Sequence, residues 1–249
     1  MMSRNGGVIM LLYIYSPFGF YFDPTYILII FGLIITMWAQ YMVSSRFKKY
    51  SRVRSMSGLT GAMAAERILH SQGIYDVRIE HVAGNLSDHY DPRSKVLRLS
   101  DSTYNSTSVA AIGVAAHECG HAMQHAHGYV PIKLRSVLVP VANIGSYASW
   151  ILILVGLLFT GSSSQAWLTA GIICFAATVL FHLVTLPVEF NASSRAINVL
   201  AGTGMLYGEE ISGAKKVLGA AALTYVASAA TAILQLLRLI ILFGGRRRD

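Results

Sequence analysis

The chain has 249 residues, 54% hydrophobic and only 13% charged, with a formal net charge of +8. An average soluble domain is about a quarter charged, so this composition, with a mean hydropathy of +0.51, excludes an ordinary soluble globule and points to a membrane protein. The 20 Lys+Arg would suit nucleic acid or an anionic lipid leaflet, and the apolar bulk selects the leaflet; two cysteines exclude a secreted disulfide framework.

In chain order, residues 1–25 form an N-terminal segment. Within it Val8 to Tyr15 follow Arg4 like a signal-peptide core, but no small-residue cleavage site follows at 16–20, so it is expected to stay uncleaved. Four apolar runs have the length of a membrane-spanning helix, at 26–43, 137–160, 166–188 and 217–243. The second and third are separated only by the uncharged residues 161–165, which makes 137–188 a hairpin whose outer ends lie side by side. The Ala-rich stretch 220–232 leaves open whether the fourth run crosses fully, lies in the interface or turns back.

Lys and Arg near span ends concentrate on the cytoplasmic side. Arg46, Lys48, Lys49, Arg52 and Arg54 follow the first span, Lys133 and Arg135 precede the second, and the 161–165 turn has none. Residues 44–136 and 189–216 are therefore expected in the cytoplasm, and the basic tail at 244–249 conflicts with this if the fourth run crosses.

Residues 57–136 read as a small α+β domain. A helix is predicted from a Thr60 cap to Gly73, strands at 76–83 and 95–100, a turn at 88–94, and a second helix from a Ser106 or Thr107 cap to Gly128. The fold class expected overall is a helical membrane protein of about four spans with a small cytoplasmic α+β domain.

On the second helix stands His117-Glu118-Cys119-Gly120-His121, an H-E-x-x-H pattern. At about 100° per residue, positions i and i+4 differ by about 40°, so both imidazoles leave one face and can reach one Zn²⁺. Glu118 flanks that face and can take a proton from the attacking water without ligating the metal. A catalytic site of this kind needs a third protein ligand. His127 has the offset of the metzincin pattern, but position 124 is Gln rather than the helix-breaking Gly, and on a continuous helix His127 stays about 15 Å along the axis from His117. His125 fails likewise. Glu189 is the best placed downstream carboxylate, because the hairpin returns the chain to the face it left near Ser136, whereas Glu209 and Glu210 read as charges at a helix start. His182, inside the third span, is a possible partner of a ligand. Arg195, Tyr225 and His182 are candidates to stabilise an oxyanion.

The runs Tyr75-Asp76-Val77, residues 88–100, Ala115-Ala116-His117-Glu118-Cys119-Gly120-His121-Ala122 and Leu186-Pro187-Val188-Glu189-Phe190-Asn191-Ala192-Ser193-Ser194-Arg195-Ala196 resemble the YugP-like family of bacterial membrane zinc metallopeptidases. The resemblance covers nearly the whole chain after residue 40. It implies a multi-pass zinc peptidase of the bacterial plasma membrane with a zincin-like catalytic domain, with His117, His121 and Glu189 as ligands and Glu118 as base. More distantly the arrangement is similar to the gluzincin membrane proteases, which carry an Asp where this chain has Ser193. Asn191 or Ser193 is then left to orient a histidine.

The expected activity is hydrolysis of peptide bonds in membrane or membrane-proximal polypeptides. The substrate is expected to add as a strand along an edge near 95–100, with Val96, Arg98 and Ser100 as binding positions. A non-catalytic zinc-binding scaffold is the alternative, which would need the ligands but not Glu118. A transporter should show charged residues inside its spans, and only His182 and Arg238 qualify, neither with an evident charged partner. Nucleic-acid binding is not indicated, because the basic cluster at 46–54 abuts a span.

Overall fold

A computed structural model describes residues 14–15 and 21–244. The signal-like segment and the 245–249 tail therefore lie largely outside the described residues. A two-residue ribbon, β1 (Ile14–Tyr15) with β2 (Tyr21–Phe22), precedes the first long helix, α1 (Tyr26–Tyr50). Next come α2 (Gly61–Ser71), β3 (Arg78–Val82), β4 (His89–Asp91), β5 (Val96–Ser100) and α3 (Val109–Ala126). Three long helices complete the chain: α4 (Val130–Leu158), α5 (Ser162–Gly202) and α6 (Glu209–Leu239), with a π-helical turn at Ile240–Gly244.

α1, α4, α5 and α6 are long and apolar enough to cross a membrane, so the described residues are mostly helical, with four candidate spans and, besides the short ribbon, one three-stranded sheet. A span needs about 20 residues for a hydrocarbon core of about 30 Å. At about 1.5 Å per residue the 41 residues of α5 measure about 60 Å, twice that thickness. Half of α5 therefore suffices to cross, and the helix expected to leave the membrane at Val188 runs on unbroken to Gly202.

The hairpin of α4 and α5 is closed by small residues. A Cβ on Gly145 would stand 2.8 Å from the Cys174 carbonyl oxygen, and one on Gly171 would stand 3.0 Å from that of Ser149. α6 is continuous through its Ala-rich stretch and packs along α1. Thr36 and Thr231 hydroxyls meet at 3.2 Å, and Gly32 leaves room for Thr231. At the far end Arg238 lies 3.4 Å from Asp23, donates to Thr25 Oγ1 at 3.1 Å and covers the Tyr26 ring. Arg238 thus has the charged partner that was not evident in the sequence. Asp23 lies 215 positions away along the chain, so no local pattern could supply it.

Outside the spans, α2, β5 and α3 share a core with the projecting parts of α5 and α6. Ile68, Leu69, Leu97, Leu99, Ile112, Met123, Leu200 and Leu218 are all buried in it, each contributing about 1.5–3 kcal/mol of apolar transfer. Both domain helices are capped by hydroxyls. Thr60 Oγ1 accepts from Met63 N at 3.2 Å, and Ser108 Oγ, one residue beyond the expected Thr107, accepts from Ala111 N at 3.2 Å.

The sheet order is β3-β5-β4, with β3 parallel and β4 antiparallel to β5. This corrects the expected free edge at 95–100. β5 is the central strand, paired on both sides, because Val96, Leu97, Leu99 and Ser100 are all fully buried. Val96, Arg98 and Ser100 thus have no open ladder to offer a peptide. Arg98 instead faces Glu80 at 3.5 Å and Asp91 at 3.6 Å, and Ser100 holds Asp88 through both its N–H and its hydroxyl. The polar β4 is the edge beside α3.

Candidate metal centre

α3 brings His117 and His121 out on one face, and the projecting part of α5 sets Glu189 against them. Glu189 Oε2 stands 3.2 Å from His117 Nε2 and 3.5 Å from His121 Nε2. The possible ligand atoms of the three residues lie within 4.8 Å of one another. The approach is possible because Gly120 lies against the α5 backbone, where a Cβ would stand 2.5 Å from the Ala192 carbonyl oxygen. Two imidazoles and a carboxylate are a donor set suited to Zn²⁺. Glu189 is only 2% exposed, and its Oε1 accepts no hydrogen bond. Arg135 Nη1 lies 3.0 Å from Oε1, a charge contact without hydrogen-bond alignment. A buried carboxylate left short of donors fits a cation, so the residues present fit the metal.

The far side of each ring is engaged. His117 Nδ1 meets Ser193 Oγ at 3.1 Å. His121 Nδ1 donates to Gln124 Oε1 at 3.0 Å, and the Gln124 amide donates to the Val188 carbonyl at 2.7 Å and to Asn191 Oδ1 at 3.0 Å. Arg195 Nε donates to the same Asn191 oxygen at 2.8 Å. Both Nδ1 atoms are thereby occupied and both Nε2 atoms face Glu189.

Glu118 is also buried, and its Oε2 accepts the Tyr90 N–H of the edge strand β4 at 3.1 Å. Burial pushes its carboxyl above the usual carboxylate range, against the opposing pull of His117 and His121. Burial alone would lower His121, but Glu189 and Glu118 outweigh it and move the imidazole up. These groups border a cavity of about 290 Å³ whose lining includes Tyr90, Glu118, His121, Arg135, Glu189 and Tyr225.

Of the residues singled out in the sequence, His117, Glu118, His121, Glu189, Ser193 and Tyr225 come together, and Asn191 joins through Gln124. His182 is not among the lining residues and packs on Phe181. Arg195 turns to Asn191, to His127 Nδ1 at 3.3 Å and to the Tyr129 ring. His125 lines the cavity near Tyr90, and His127 caps the end of α3. Sequence reasoning missed two residues. Gln124 carried a signal, standing one turn after His121, but counted only as a missing glycine. Arg135 was read only as a boundary charge.

Two histidines of an H-E-x-x-H helix and a glutamate from a neighbouring helix form the donor set of the zinc metallopeptidase class. The chain belongs to the family described as "Putative neutral zinc metallopeptidase", which matches residues 25–244. It is 49% identical over 216 residues to "Putative membrane protease YugP" of Bacillus subtilis (strain 168), covering 87% of this chain and 95% of that relative. No solved structure matches the chain.

Proposed function

We propose that this protein is a membrane-embedded zinc endopeptidase that cleaves membrane or membrane-proximal polypeptides, with His117, His121 and Glu189 holding the metal and Glu118 as general base. The observation that carries the reading is the convergence of those three side chains from two helices, with a buried fourth, Glu118, beside them at the cavity. Ser193 and Gln124, accepting from the two Nδ1–H groups, leave both Nε2 lone pairs for the ion. When bound, Zn²⁺ lowers the pKa of a water and polarises the scissile carbonyl. Glu118 takes the proton from the attacking water and returns it to the leaving amine, and burial, by raising its affinity for protons, favours that role. Tyr225 can donate its phenolic hydrogen to the developing oxyanion. The substrate runs beside β4, whose Tyr90 N–H already points at the Glu118 carboxylate.

The site sits at a membrane boundary. Gln165 donates to the Phe243 carbonyl at 3.2 Å, which puts the hairpin turn and the end of α6 at one level. From there to Glu189 along α5 is about 36 Å, and to Tyr225 along α6 about 27 Å, close to one hydrocarbon thickness. Arg46, Lys48, Lys49, Lys133, Lys215 and Lys216 belong to the ends of the spans on the side of the site, which supports a cytoplasmic orientation.

The test is zinc content and peptide cleavage on two variants of the purified protein. Glu118→Gln keeps the shape and should retain a full equivalent of zinc with cleavage reduced about 10²–10⁴-fold. Glu189→Ala leaves two imidazoles and should lose most of the zinc. Normal zinc in Glu189→Ala would overturn the ligand assignment, and unimpaired cleavage by Glu118→Gln would overturn the mechanism.

A further inference from the structure

The two oxygens of Glu189 have different neighbours. Oε2 faces the Nε2 atoms of His117 and His121, and Oε1 faces Arg135 Nη1 at 3.0 Å. The last torsion of a glutamate is broad and roughly two-fold, so nothing within the side chain holds the plane of the carboxylate at one angle. Oε1 has no hydrogen-bond partner, and besides Arg135 and the two imidazoles the Tyr225 hydroxyl, in the same cavity, acts on the carboxylate. Among the described residues Glu189 is also the only acid paired with Arg135.

Arg135 has an alternative that it does not take. It lies in the second turn of α4, a helix whose Leu134, Val137 and Val141 are exposed and apolar on the face away from the cavity. A long cation at such a boundary would ordinarily snorkel to the headgroups. Here its side chain is 29% exposed and reaches inward, to line the cavity with Glu118, His121 and Tyr225. We propose that Arg135 is a positioning residue for the metal centre: by holding Oε1 of Glu189 it keeps Oε2 turned to the two imidazoles, and so ties the site to the first arm of the membrane hairpin. This rests on the reading of His117, His121 and Glu189 as metal ligands and not on any peptidase activity. A guanidinium suits the task because its charge is permanent and its planar fork is stiffer than an ammonium on a free stem.

The experiment compares full-length wild type, Arg135→Met and Arg135→Lys in detergent. Zinc affinity is measured by chelator competition, the absorption of the cobalt-loaded forms reads the coordination, and thermal unfolding without metal reads the fold. Loss of a group that orients a ligand typically weakens metal binding about 10–100-fold. Arg135→Met should fall in that range and shift the cobalt bands, Arg135→Lys should recover part of both, and all three should unfold alike without metal. Wild-type zinc affinity and an unshifted cobalt spectrum in Arg135→Met would overturn the proposal. Equal loss of metal-free stability in both variants would reduce Arg135 to a structural role and overturn it too. If wild type itself holds no zinc, the ligand reading fails first; if wild type holds zinc and Arg135→Met holds it equally well, only this inference fails.

Discussion

Glu118 and Glu189 are both buried, yet their neighbours divide the work between them. Glu189 faces two ring nitrogens and a guanidinium, whereas Glu118 faces a backbone donor of β4 and the open cavity. The rings in turn depend on what lies behind them. Ser193→Ala removes the partner of His117 Nδ1, and zinc affinity should fall about 10–100-fold with little change in the metal-free fold. Competition with a chelator measures this, and wild-type affinity would show that Ser193 does not orient the ring. The H-E-x-x-H residues were legible because one helix carries them at the spacing that places two rings on a face. Glu189 was legible only through the hairpin, which returns the chain to its starting side. Arg135 was not, since it acts through a side chain more than 50 positions distant, and Gln124, though one turn after His121, is set in place by the Val188 carbonyl and Asn191 from another helix.

The contact between α3 and α5 sets the distance on which the metal centre depends. Gly120 lies within the H-E-x-x-H turn, and its missing Cβ is what lets the Ala192 carbonyl approach. Gly120→Ala should gain up to about 1 kcal/mol in helix propensity but lose about 1–3 kcal/mol or more to overpacking. Because the obstacle is backbone, we expect a net fall in stability and weaker zinc binding as His121 and Glu189 move apart. Gly219→Ala in α6 meets nothing within 4 Å and should instead stabilise by about 0.5–1 kcal/mol. Thermal unfolding of the two variants is the comparison, and a melting temperature raised by both would refute the close-approach argument. At this scale the helices of the small domain were legible to within a few residues because capping hydroxyls and C-terminal glycines punctuate them. The place of β5 was not, because a short apolar run reads the same at a sheet's centre and at its edge.

For the whole molecule the open question is which way it faces. In the sequence Arg246, Arg247 and Arg248 follow the far end of α6 and oppose this orientation, whereas the Gly161–Gln165 turn on that side is uncharged and Arg238 is paired; the near ends carry Arg46, Lys48, Lys49, Lys133, Lys215 and Lys216. Each Lys or Arg near an anionic inner leaflet contributes about 1 kcal/mol, so the six near-end cations outweigh the three of the tail and favour the cytoplasm for the near side. The spans themselves were legible because apolar length alone defines them; the continuity of α6 was not, since alanine is too weakly hydrophobic to tell a crossing helix from an interfacial one. Orientation is read by cysteine labelling with an impermeant maleimide on intact cells. Ser94 and Ser163 are both exposed, on the small domain and on the hairpin turn respectively, while native Cys119 is buried and Cys174 lies within a span, so background is low. Ser163→Cys should label on intact cells, and Ser94→Cys only after the membrane is permeabilised. The reverse pattern would place the metal centre outside the cell and make the basic near ends an exception to the positive-inside rule.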